Sequence, residues 1–158
     1  MYFAPLADYD VLMKKVPEGK VITALLDAIG SSINHIGHVH KMLGGESPEH
    51  TIFIITTDGL ENSSMQYSYA DIRHLIHMEK KKYHWEFLFL GANMDVVKEA
   101  SRFGIRPEKS VRFHNDKAGI ENNYAGIDKA VTEMRMTGCL SDTWKENIEE
   151  DYKNRDED

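Results

Sequence analysis

Two stretches, TIFIITT at residues 51–57 and EFLFLG at 86–91, are apolar almost without a break instead of at alternate positions. A strand with one face in water alternates apolar and polar side chains. An unbroken run therefore reads as a strand buried on both faces, the pattern of a parallel sheet covered by helices. SVRFH, at 110–114, is shorter and more polar and suits the edge of such a sheet.

The segments between these runs carry helical periods. In ITALLDAIGSSINHIGHVHKML, residues 22–43, Ile22, Leu25, Leu26, Ile29, Ile33, Ile36, Val39 and Leu43 fall on one stripe, and Gly44, Gly45, Ser47 and Pro48 end it. Ser68-Tyr69-Ala70-Asp71 predicts a capping box opening a helix through Tyr83, with Tyr69, Ile72, Leu75 and Ile76 inward. Asn93 is the expected cap of a third helix, with Val96, Val97, Ala100 and Phe103 inward and Gly104 as its stop. Ile120, Tyr124, Ile127, Val131 and Met134, spaced 4, 3, 4, 3, predict a last helix facing the core along that stripe and ending near Gly138. The order α-β-α-β-α-β-α implies a three-layer, Rossmann-like α/β fold: a mostly parallel sheet, helices on both faces, right-handed crossovers.

A chain of 158 residues, 41% hydrophobic and 28% charged, suits one globular domain with a short tail. The formal charge of −7 argues against nucleic acid as a partner, and the one dense basic run, Lys80-Lys81-Lys82, reads as the solvated end of a helix. Cys139 stands alone, which leaves no internal disulfide and no cysteine-rich zinc site. No stretch approaches the roughly 18 consecutive apolar residues of a membrane span, and MYFAPLADYD lacks the pattern of a signal peptide. The expected compartment is the cytoplasm, where Asn62-Ser63-Ser64 would not serve as a glycosylation acceptor. His35 with His38, and His74 with His77, make helical pairs, short of the three or four converging ligands zinc needs.

Ligands of open α/β sheets gather at the carboxyl ends of the strands, where this order of elements places Asp58, Asn93 and Asp95; the amino end of the first helix brings Thr23 to the same edge. A threonine opening one helix, followed by TALLDAIG, IFIITTDGLENSS, WEFLFLGANMDVVKEA and NYAGIDKAV, closely resembles the bacterial von Willebrand factor type A domain proteins over roughly residues 20–134. The resemblance implies a protein-interaction module whose metal-ion-dependent adhesion site holds magnesium or manganese. It gives Thr23 and Asp58, the aspartate of the TDG turn, the roles of metal ligands. Glu61, Asn62, Ser63, Asn93 and Asp95 are the expected rim of that binding face.

The same resemblance exposes a gap. The family's first ligand set, a DxSxS motif after its first strand, has no counterpart here, and Val21-Ile22-Thr23 stands where Gly-x-Thr is usual. Magnesium prefers octahedral oxygen coordination with at least one or two carboxylates, so the expected site is degenerate, its cation weakly held or absent. Asp58-Gly59 also has a plain reading as a turn after a strand, and Thr23 as a first-turn residue or cap. As an enzyme the chain would resemble haloacid-dehalogenase-like phosphatases through Thr56-Thr57-Asp58-Gly59-Leu60, with Asp58 as the carried-over aspartate. Thr56 then replaces that family's nucleophilic aspartate. GxSxG and Walker A motifs are both missing.

The domain expected from these readings is an incomplete type A domain at 20–138, preceded by residues 1–19 with a short strand and followed by 139–158. From Lys145 the sequence carries seven acidic and three basic residues and reads as an acidic, mobile tail, or an acidic arm for a basic partner. Because the family's first strand lies beside the TDG strand, Ile52, Phe53, Ile54 and Ile55 are expected along an open sheet edge, covered by self-association or by a protein partner in preference to a substitute strand from the N-terminal stretch, which Pro5, Pro17 and Gly19 break up.

Overall fold

The computed structural model describes residues 24–61 and 63–156; Thr23, Asn62 and the expected strand within 1–19 lie outside them. The chain forms helix α1 (Leu25–Leu43), strand β1 (Ile52–Thr57), α2 (Tyr69–Tyr83), β2 (Glu86–Gly91), α3 (Val96–Arg102), β3 (Ser110–Arg112), α4 (Lys117–Thr137) and α5 (Glu146–Asp156). The strands make one parallel sheet in the order β1-β2-β3. Its register pairs Ile52 with Glu86 through Thr57 with Gly91, and Phe89 with Ser110 through Gly91 with Arg112. All three strands therefore end on one line, which makes a single carboxyl edge.

Alternation along β2 builds two cores. Phe87 and Phe89 face a cluster with Leu26, Ile29 and Ile33 of α1, Ile72 and Ile76 of α2, and Val96 and Ala100 of α3. Leu88 and Leu90 face the other way, onto Val111, Phe113, Ala130 of α4, Trp144 and Ile148 of α5. The two crossover helices, α2 and α3, share one face, as successive connections of like hand moving one way across a sheet require. The fold is thus a three-layer α/β arrangement with β2, buried almost throughout, at its centre. β1 is less enclosed than its apolar run suggests. Ile55 and Thr57 are buried, but Ile52, Phe53 and Ile54 only partly, because β1 has a neighbour on one side among the described residues.

The predicted caps of α2 are present: the Ser68 hydroxyl accepts from Asp71 N–H, and the Asp71 carboxylate accepts from Ser68 N–H. Three expectations are corrected. α3 is capped by Asp95, whose carboxylate accepts from Lys98 N–H at 3.1 Å, while Asn93 sits two residues earlier with φ 56° in the left-handed turn that leads there. α4 is rotated from the expected stripe: of that stripe Met134 is buried, Ile127 and Val131 are half-buried, and Ile120 and Tyr124 are exposed, while Gly119, Asn123, Gly126 and Ala130 turn inward. The small stripe wins because another helix must approach it closely. A Cβ on Gly126 would stand 2.8 Å from Ile148 and 2.9 Å from the Trp144 carbonyl.

That neighbouring helix is the third correction. Residues 139–158 were expected as a mobile acidic tail, yet a 3-10 turn at Thr143–Lys145 and α5 form the outer part of the second layer. Trp144 and Ile148 are each 1% exposed. The charges that read as a solvated tail are partly spent on anchoring. Lys145 donates to the Pro107 and Ser110 carbonyls, Lys129 to the Thr143 carbonyl and Glu146, and Arg155 pairs with Asp151 and Asp116.

Candidate functional site

The carboxyl edge carries the polar turns that follow β1, β2 and β3. Thr57, at the end of β1, is buried, and its hydroxyl closes a tight turn by donating to the Gly59 carbonyl at 2.8 Å. That turn leaves Asp58 exposed at the edge. Its carboxylate accepts a 3.0 Å hydrogen bond from the Asn115 side chain, beyond the end of β3. Since β2 lies between β1 and β3, this bond spans the end of the central strand. Gly91 closes β2, and a Cβ there would stand 2.8 Å from Val96 and 3.1 Å from the Met94 sulfur, so glycine lets the next loop fold back tightly.

Glu61 and Ser63 are placed on the loop after β1, but Glu61 looks to the helix and not to Asp58. Ala24, at the start of α1, has no side chain able to cap it. The cap arrives from Glu61, whose carboxylate accepts Leu26 N–H at 2.9 Å as well as Ser63 N–H, Ser64 N–H and the Ser64 hydroxyl. Ser64 Oγ in turn accepts from Asp27 N–H at 3.1 Å. Burial raises the Glu61 pKa, but these donors outweigh it and hold the carboxyl below its ordinary range.

Asp27 returns the arrangement. Its carboxylate accepts three consecutive backbone N–H groups, from Met65, Gln66 and Tyr67, at 2.9–3.0 Å. Burial again works against ionisation and the three donors prevail, so the Asp27 carboxyl also lies below its usual value. The Tyr67 ring lies flat against Gly30, at 2.7 Å from where a Cβ would be, and Asn34 donates to the Tyr67 hydroxyl. Glu61 and residues 63–67 are thereby bound along α1 from Leu26 to Asn34. Asp27, Ser64 and Tyr67 carry this arrangement and were not singled out from the sequence. The signal was there in Asp27, an acid in the first turn of a helix, and in the serines that follow Glu61.

Asn93 and Asp95 fall on the loop after β2, Asp95 engaged as a cap and Asn93 exposed. On the β3 side, Asp116 caps α4 by accepting Gly119 N–H at 2.9 Å and is paired with Arg155. The Gly119 N–H and the Arg155 guanidinium hold its carboxyl below the usual range. Of the acids at this edge, Glu61, Asp95 and Asp116 are thus occupied by helix ends, and Asp58 is not. Thr57, Asp58 and Asn115 do not by themselves make a magnesium site: the threonine hydroxyl is tied to Gly59, and an amide N–H donor already faces the carboxylate. Among the described residues, no group of three or more His, Cys, Asp or Glu side chains converges, and no helix is long and apolar enough to cross a membrane.

The fold and this edge define a three-layer α/β protein with a polar turn surface over a parallel sheet. Comparison with protein-family models, with curated proteins and with solved structures gives no match.

Proposed function

We propose that the chain is a non-catalytic protein-interaction module of the von Willebrand factor type A kind, with a degenerate metal-ion-dependent adhesion site. The observation that carries this reading is Asp58. It stands exposed at the carboxyl edge, and its hydrogen-bond partner among the described residues is an amide, neither a base nor a nucleophile. An aspartate so placed suits a polar contact with another protein, directly or through a loosely held magnesium or manganese ion, better than it suits turnover. The exposed free thiol of Cys139 favours a reducing cytoplasm as the working compartment.

Calorimetric titration with magnesium and with manganese tests the site. The full chain should bind neither more tightly than about millimolar, and Asp58→Ala should change little. Micromolar binding that disappears in Asp58→Ala would mean a complete metal site. Turnover of a phosphate ester lost in the same variant would replace the interaction reading with a phosphatase that uses Asp58.

A further inference from the structure

Two features of the second face converge on one edge of the sheet. β1 runs Ile52, Phe53, Ile54, Ile55, Thr56, Thr57 without a charge or a proline, the residues that commonly keep an edge strand from pairing, and among the described residues it is bonded to β2 alone. On α4, the chain leading into α5 is attached to one flank. There Lys129 donates to the Thr143 carbonyl, and Glu133 accepts from Ser141 N–H. Ile120, Tyr124, Ile127 and Val131 occupy the opposite flank at helical spacing, with Ile120 41% and Tyr124 70% exposed. α5 packs against β3, at the far end of the sheet, so the α4 flank turned away from it lies toward β1, and Ile127 joins the cluster on which Ile52 and Ile54 also pack.

We propose that this face is a homodimer interface: β1 pairs antiparallel with β1 of a second copy, giving a continuous six-stranded sheet, and the α4 stripes of the two copies meet over the junction. A two-fold axis normal to the sheet produces both contacts at once. It opposes the direction of β1 and its copy while keeping both α4 helices on the same face. The occupant follows from charge and area. Ile52–Thr57 and the four stripe residues carry no charge, so a second copy offers the matching surface there, and the repulsion between two chains of net −7 makes the dimer tighter as ionic strength rises. A six-residue strand edge falls well short of the roughly 800 Å² per partner that stable interfaces bury, and the α4 stripe extends it. This proposal rests on the interaction-module reading and names its partner.

The test uses the full chain, by sedimentation equilibrium over a wide concentration range with hydrogen exchange at residues 52–57. The expected result is twice the mass of one chain, with slow exchange at those amides. Thr56→Glu and Tyr124→Glu alter side chains that are exposed in the single chain, so helicity and melting of the monomer should persist while each variant weakens the dimer and the pair, of one sign, abolishes it. A dimer that survives the double substitution overturns the proposal. So does a monomer with protected 52–57 amides, which would put residues 1–23 on the edge. A monomer whose edge exchanges freely also overturns it, yet leaves the interaction-module reading standing with a different protein as partner.

Discussion

Glu61 accepts the backbone N–H of Leu26 at 2.9 Å across 35 positions of sequence, so the first strand's exit loop supplies the cap that α1 lacks at Ala24. The bond joins the two elements whose polar ends make the carboxyl edge. It explains why a buried strand runs into Glu61, Ser63 and Ser64: these residues close α1 and do not surround Asp58.

Removing that carboxylate should cost stability in proportion to a lost cap. Glu61→Ala leaves Leu26 N–H without its partner and frees Ser63 and Ser64, and a cap typically contributes ~1 kcal/mol, up to about 2 when several donors are served. Urea unfolding should show a lower midpoint with an unchanged slope. Asp58→Ala, by contrast, removes an exposed carboxylate with one amide partner and should change the unfolding free energy by less than about 0.5 kcal/mol. Equal losses in the two variants would contradict the assignment of Glu61 to structure and Asp58 to surface.

Asp27 and Glu61, on either side of this contact, contribute to the acid sensitivity of the fold. Asp27 and Glu61 both have folded-state pKa values below their ordinary 3.8 and 4.5, because backbone N–H donors outweigh the effect of burial. A carboxyl depressed in the folded state binds its proton more readily when unfolded, so its contribution is complete above the unfolded value and is lost as pH falls through the folded one. The contribution of these two carboxylates to the unfolding free energy should be level above about pH 5 and decline below it. Asp27→Asn and Glu61→Gln should each be less stable at neutral pH and show a shallower acid decline. A wild-type decline that both variants reproduce in full would place the acid sensitivity elsewhere.

The three strands, the buried character of β2 and the Ser68–Asp71 box are legible in the sequence, because periodicity and capping are local properties of the chain. Long-range consequences were harder. Glu61 reads from the sequence as part of the rim of a binding face, since its distant partner, the Leu26 N–H, is brought to it only by packing. On α4, the cleanest apolar period belonged to the exposed flank. The inward stripe was Gly119, Asn123, Gly126 and Ala130, chosen for size and so invisible to a scale of hydrophobicity. Residues 145–158 looked like a tail by charge, since the apolar content of α5 is concentrated in Ile148, while Trp144 just before it enters the core from the 3-10 turn.

Trp144 should therefore be among the costliest positions to truncate. It is 1% exposed and packs with Leu88, Leu90, Val111 and Phe113 under the second layer. Trp144→Ala should destabilise by about 3–5 kcal/mol, the range for large aromatic side chains removed from a core. Ending the chain at residue 140 should do more: it uncovers that face of β2 and β3, and the product should bind a hydrophobic dye or precipitate. A soluble, cooperatively unfolding fragment would restore the view of 139–158 as a dispensable tail.

Gly126 offers a prediction whose sign is opposite to the usual one. Within a helix, Gly→Ala generally stabilises by up to about 1 kcal/mol, since alanine restricts the unfolded chain and favours helical dihedrals. At Gly126 the added methyl would meet Ile148 Cδ1 at 2.8 Å and the Trp144 carbonyl oxygen at 2.9 Å. The isoleucine terminus can rotate, but the carbonyl is backbone, held by the 3-10 turn that Lys129 grips from α4 through Thr143 O. Relief requires α4 and the turn to separate, which loosens Trp144 from the core. Gly126→Ala should thus lower stability by about 1–3 kcal/mol, the range for overpacking a close contact. Gly37→Ala serves as the control: its Cβ would find its nearest neighbour at 3.9 Å, in the Glu79 carboxylate, so the ordinary gain should appear there. Thermal melts of the two variants beside the wild type decide the matter, and a rise in both would mean that α5 sits more loosely against α4 than the close approach at Gly126 implies.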